Sequence, residues 1–130
     1  MGRPLRLLVD THVIYWILYS PDVIRRAAKT AIQKSETTYV SLVSFWEVAI
    51  KVRAGKMKAS AMLDGGPESL GRFGFQSLSI DYLHVHKTLE LPLHHRDPFD
   101  RLLIAQAKVE GLTIISNDAV FDRYGVDRVW

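Results

Sequence analysis

The order of apolar and polar stretches along the chain predicts short buried strands separated by helices. "LRLLV" (5–9) reads as a buried strand, and apolar residues at helical spacing follow at once in "THVIYWIL" (11–18). "DVIRRAAKTAIQK" (22–34) carries Val23, Ala27 and Ala31 four residues apart, behind Pro21 and a capping-type Asp22, and predicts a helix. "TTYVS" (37–41), rich in β-branched and aromatic residues, predicts a strand, and "SFWEVAIKVRAG" (44–55) a helix ending near Gly55. The stretch 56–74 is mixed, with a break at Gly65, Gly66 and Pro67. Beyond it come a short strand in "FQSLS" (75–79), a helix in "IDYLHVHKTLEL" (80–91) and a loop in "PLHHRD" (92–97). "PFDRLLIAQAKVEG" (98–111) has Pro98 in the first helical position and Gly111 at the end, "LTIIS" (112–116) is a buried strand, and "VDRV" (126–129) closes the sheet.

Strands separated by helices mean βαβ units with right-handed crossovers, and so an α/β fold with a mainly parallel sheet covered on both faces. There are no repeats, linkers or low-complexity segments, so residues 1–130 are expected to form a single domain. Ligands of such sheets bind beyond the carboxyl ends of the strands.

That rule gives the acidic residues a meaning. Asp10 sits one residue past the first strand, Glu47 falls in the first turn of the helix after the second, and Asp118 follows "LTIIS" by two residues. Asp100 lies in the first turn of the helix feeding that strand and needs a long enough loop to reach the same edge. Carboxylates brought together there repel unless a cation sits among them, and oxygen-only ligands select Mg²⁺ or Mn²⁺ over zinc. Such an ion suits phosphoryl chemistry, where it neutralises phosphate oxygens and activates water. Each acid also has a capping explanation that suffices singly: Asp10 for "THVIYWIL", Glu47 in an S-x-x-E box with Ser44, Asp97 before Pro98 with Asp100 behind it, and Asp118 for "AVFDRY".

Composition narrows the setting. With no cysteine there is neither a disulfide framework nor thiolate chemistry. No apolar run approaches the roughly 20 residues of a membrane span, and the expectation is a soluble, cytoplasmic protein. The net charge is +3 and the pI near 9.3. Setting the four acids aside leaves 17 basic against 10 acidic residues, or +7, a basic shell suited to drawing in a polyanion.

"LLVDTHVIYW", "SLVSFWEVAIK", "LPLHHRDPFDRLLIAQA" and "GLTIISNDAVFDRYGV", in this order and spacing, resemble the PIN-domain ribonucleases, and within them the VapC-type toxins of type II toxin–antitoxin pairs. The resemblance runs from about residue 5 to the C-terminus. It implies a three-layer α/β/α fold, dependence on Mg²⁺ or Mn²⁺, endonucleolytic cleavage of RNA, a homodimer, and a cognate antitoxin whose C-terminal segment covers the active site. Carried over by motif, the metal-binding and catalytic quartet falls on Asp10, Glu47, Asp100 and Asp118. Thr11, Ser116 and Asp97 become supporting or substrate-contacting residues, and Asn117 stands where the family commonly has Arg.

Other readings fit less well. An aspartyl-nucleophile phosphatase needs a second Asp two residues after the first, and that residue is His12; a receiver domain needs a lysine after a late strand, and "SND" has none. The non-enzyme alternative is a PIN-like RNA- or protein-binding module without metal, against which the complete quartet counts. His84, His86, His94 and His95 have no standard zinc spacing and read as a polar stretch. Lys51, Arg53, Lys56 and Lys58 fit a solvated helix end as well as an RNA contact. Trp16, Phe45 and Trp46 sit at apolar helical positions and read as core or interface, and together with Tyr19, Phe73 and Phe75 they exceed what one small core can use.

Overall fold

Leu7, Leu8 and Val9 are fully buried, but they do not share a core. Leu7 and Val9 pack with Val13, Ile14, Val40, Phe45 and Val48, whereas Leu8 packs with Leu103, Ile104, Ile114 and Phe121. The two-residue period of a strand sends alternate side chains to opposite faces, so both faces of this sheet are covered. In the computed structural model, which describes residues 4–130, the elements run β1 (Arg6–Val9), α1 (Thr11–Tyr19), α2 (Arg26–Lys34), β2 (Thr37–Ser41), α3 (Leu42–Arg53), α4 (Ser60–Gly65), β3 (Gln76–Leu78), α5 (Tyr82–Lys87), α6 (Pro98–Glu110), β4 (Thr113–Ile115) and β5 (Arg128–Val129). Short 3₁₀ segments at Pro21–Val23, Pro67–Phe73, Thr88–Glu90 and Ala119–Tyr124 join them.

The sheet is parallel throughout, in the order β3-β2-β1-β4-β5. Right-handed crossovers put α1 to α4 on one face, because the chain steps from β1 to β2 to β3 in one direction. The return to β4 and on to β5 puts α5, α6 and the last 3₁₀ turn on the other. Strand order therefore reverses between β1 and β4, and their carboxyl ends flank the crevice where such sheets bind ligands. No helix of the described residues is long and apolar enough to cross a membrane.

Three expected elements differ in extent. The helix expected from Asp22 starts at Arg26, because Asp22 lies in the Pro21–Val23 turn and Ile24 is extended (ψ 124°), dropping its side chain into the core. The helix expected from Ser44 starts at Leu42, where the Ser41 hydroxyl accepts the Val43 N–H at 3.1 Å. The helix expected over 80–91 tightens to 3₁₀ after Lys87. At its start Asp81 N–H donates to His84 Nδ1 (3.0 Å), and Nε2 of the buried His84 pairs with Glu110 (3.0 Å), fastening α5 to α6. Gly111 ends α6 in the left-handed region (φ 67°), as its place after the helix predicts.

Candidate active site

Asp10 stands at the N-cap position of α1, yet its side chain makes no capping hydrogen bond. It is 4% exposed, its Oδ2 accepts the Ser116 hydroxyl at 2.7 Å across the β1/β4 crevice, and its Oδ1 is buried with no partner. A buried carboxylate oxygen left unpaired costs on the order of 1–3 kcal/mol or more. Capping, sufficient in the sequence, is thus not what this carboxylate does.

Asp100 reaches the same edge without a long loop. A helix that feeds a parallel strand runs against it, so its first turn lies over the strands' carboxyl ends. Asp97 caps α6 through the Phe99 and Asp100 N–H groups (2.8 and 3.1 Å), which frees the Asp100 carboxylate. Asp10, Asp100 and Asp118 then line one open cleft of about 450 Å³ with His12, Trp16, Asn117 and Ala119. Asp118 is exposed and does cap, accepting the Val120 N–H on Oδ1 at 3.0 Å.

Glu47 is not in a capping box, since Ser44 lies inside α3 and receives the Thr11 hydroxyl at 2.8 Å. It sits in the second turn, 2% exposed, behind the cleft rather than on its wall. Its Oε2 pairs with Lys51 Nζ at 2.6 Å, and its Oε1 is buried without a partner.

The electrostatics link these groups. Burial raises the Asp10 pKa above the usual carboxylate value against the pull of the Ser116 hydrogen bond, and the charge of Glu47 adds to the rise. Asp100 is pushed up to about 7, first by burial and then by the charges of Asp10 and Asp97, with the His95 hydrogen bond opposing.

The supporting residues divide. Ser116 joins two acids, donating to Asp10 and accepting the Asp118 N–H at 3.0 Å. Thr11 is buried against Ser44 and braces α1 on α3. Asp97 is a cap. Ser116→Ala should cost about 1–2 kcal/mol in urea unfolding under chelation, because it leaves the second Asp10 oxygen unpaired too; an unchanged midpoint would show that this hydroxyl does not support Asp10.

His95, read from the sequence as part of a polar stretch, stands at the site. Its Nε2 lies 2.7 Å from Asp100 Oδ2, and donor atoms of His95, Asp100 and Asp118 all lie within 4.8 Å of one another. The available signal was position: "HHRD" directly precedes the α6 cap and must occupy the edge that α6 starts from. Among the described residues, Asp81, His84 and Glu110 make a second such group. There both ring nitrogens are committed, Nδ1 accepting the Asp81 N–H at the start of α5 and Nε2 holding α5 on α6 through Glu110.

Comparison with known proteins places the fold. The family described as PIN domain matches residues 7–127. Similar solved structures are VapBC2 from Rickettsia felis bound to a promoter DNA fragment (TM-score 0.69, 15% identity, 95% of this chain and 97% of that one) and DNA-bound VapBC from Salmonella typhimurium (0.66, 20%, 95% and 96%). FitAcB from Neisseria gonorrhoeae is another (0.63, 20%, 94% and 95%). At these identities the likeness is one of fold. No curated protein matches the sequence.

Proposed function

Since the chain belongs to the PIN domain family, we propose that it is a Mg²⁺- or Mn²⁺-dependent endoribonuclease, the toxin of a toxin–antitoxin pair acting in the cytoplasm. The observation that carries this reading is Asp10: a buried carboxylate at a strand end, unused as a cap, one oxygen unpaired, on a cleft shared with two further acids. The donor set fits a hard cation. Buried Asp10 Oδ1 and Glu47 Oε1 lack partners, and burial with the charges of Asp10 and Asp97 pushes the Asp100 carboxyl up to about 7.

Asp10, Asp100 and Asp118 are the residues that would hold the ion, with Glu47 behind them. When bound, it supplies charge neutralisation for phosphate oxygens and a more acidic water for in-line attack. The chain's own contribution is positioning. Ser116 keeps Asp10 and Asp118 in register, and Asp97 spares Asp100 from capping. RNA phosphates have a path beside the acids: Arg25 and Arg128, with Asn117 and Trp130, line an adjoining polar cleft of about 530 Å³, and Asn117 belongs to both clefts. Arg128 is held by a double contact to Asp122 (2.9 Å each) and so presents a fixed guanidinium.

The VapBC neighbours support an antitoxin partner, whose C-terminal segment would silence the site by setting an Arg or Lys against the acids. An apolar face supports a homodimer. Trp46 is 59% exposed beside the exposed Ile50, and Trp46, Val85, Leu93 and Leu102 line a hollow of about 620 Å³. Of the aromatic excess, Phe45 and Phe75 are taken up by the core. Light scattering should give twice 14.8 kDa at tens of micromolar, falling towards 14.8 kDa in Trp46→Glu; a 14.8 kDa wild-type species would remove the dimer. The function is tested by regulated expression. Growth should stop, with new RNA ends in the cell, and Asp10→Asn should be harmless; harmless wild-type expression without an antitoxin contradicts the toxin role.

A further inference from the structure

The loop that carries His95 is fastened on two sides. Tyr124 Oη accepts the N–H groups of His94 and His95 (3.0 and 2.7 Å), and Arg101 Nη1 donates to the carbonyls of Pro92 and His95 (2.9 and 3.3 Å). A surface loop seldom needs four such ties. They hold the His95 ring at the carboxyl edge of the sheet, where its Nε2 meets Asp100 Oδ2 at 2.7 Å.

That spacing suits a shared cation as well as a shared proton. Two ligands at adjacent corners of an octahedral ion with bonds near 2.1 Å stand about 3 Å apart, and opposite ones about 4.2 Å. Donor atoms of His95, Asp100 and Asp118 lie within 4.8 Å of one another. An independent observation points to a ligand here: Asp10, which lines the cleft with Asp100 and Asp118, is buried and keeps Oδ1 unpaired. An imidazole nitrogen also changes the chemistry of the set. Magnesium prefers oxygen and dehydrates reluctantly, whereas transition ions accept nitrogen readily.

We propose that His95 Nε2 is a ligand of the cation held by Asp100 and Asp118, and that this nitrogen makes the site select Mn²⁺ over Mg²⁺. The proposal rests on the nuclease reading only in requiring a cation in this cleft. It departs from the oxygen-only set expected from the acids, and it makes His95 part of the metal centre rather than a brace for Asp100.

The test uses the full chain loaded with MnCl₂ and pulsed electron paramagnetic resonance, which detects nitrogen bonded to manganese. Wild-type protein should show ¹⁴N modulation; it should vanish in His95→Gln and persist in His12→Gln, the histidine on the cleft's own lining. Calorimetry with MnCl₂ and MgCl₂ should show the preference for Mn²⁺ falling about ten-fold in His95→Gln, chiefly through weaker Mn²⁺ binding. No nitrogen signal in the wild type, a signal that survives His95→Gln, or an equal loss of both affinities overturns the proposal, the last leaving His95 as a positioning residue for Asp100. Asp100→Asn, which alters an acid common to both ligand sets, separates the two readings. If it binds Mn²⁺ as tightly as wild type, the cation is not in this cleft and both fail. If it loses Mn²⁺ while the wild type shows no nitrogen signal, the His95 assignment fails alone.

Discussion

Asp10→Asn should abolish RNA cleavage while leaving the protein folded. The amide has the volume of the carboxylate and can still accept the Ser116 hydroxyl through its carbonyl oxygen, so β1 and β4 stay bridged. What it loses is the charge, on the residue whose second oxygen has no partner within the protein. Loss of a group that holds the cation at the scissile phosphate removes stabilisation of about 4 kcal/mol or more, roughly a thousand-fold in rate. Single-turnover cleavage measures it, with circular dichroism as the control for folding. Capping is the weaker explanation, since the Asp10 side chain makes no capping hydrogen bond of good geometry, although the His12 N–H draws its pKa down. Activity within a few-fold of wild type would place the chemistry elsewhere.

Asp100→Asn should do two opposite things. With its carboxyl pushed up to about 7, the folded protein keeps a proton that the unfolded chain, with a pKa near 3.9, gives up earlier. Between about pH 4 and 7 the native state therefore binds more protons than the unfolded one, and metal-free stability falls as pH rises through that window. The amide removes this penalty. In chelator at pH 8, Asp100→Asn should melt a few degrees above the parent, the gap closing towards pH 4. Added Mn²⁺ should reverse the order, because only the parent gains fully from the ion. Were Asp100 merely a favourable first-turn charge on α6, its loss would destabilise by about 0.3–1 kcal/mol whatever the metal. Melting curves at pH 4 and 8, in chelator and in Mn²⁺, decide between the two.

The acids were legible in the sequence because strand ends and helix starts are local features and a parallel sheet brings them to one edge. Asp10 and Asp118 needed nothing more. Asp100 was placed there for an incomplete reason: the direction of α6, not loop length, carries it to the edge. Glu47 was placed in the quartet with a capping box as the competing explanation, because S-x-x-E looks the same whether helix α3 begins at Ser44 or at Leu42, and only the Ser41–Val43 hydrogen bond tells them apart. His95 was not legible as a site residue. Its place depends on Tyr124, 29 residues away, gripping the loop together with Arg101 of the adjoining α6, and the one local hint was the loop's position before the α6 cap. The aromatic excess was legible only as a whole, because burial of Phe45 and Phe75 and exposure of Trp46 follow from helix rotation and strand pairing, not from residue type.

Cleavage of a labelled RNA by the chelated protein, followed as Mn²⁺ is restored, decides whether these acids cut RNA through a bound cation. Cation-dependent catalysis at Asp10 gives no cleavage in chelator, internal breaks that appear as the cation binds, and no breaks at any Mn²⁺ concentration in Asp10→Asn. Cleavage that persists in chelator, or that Asp10→Asn retains in full, would contradict it.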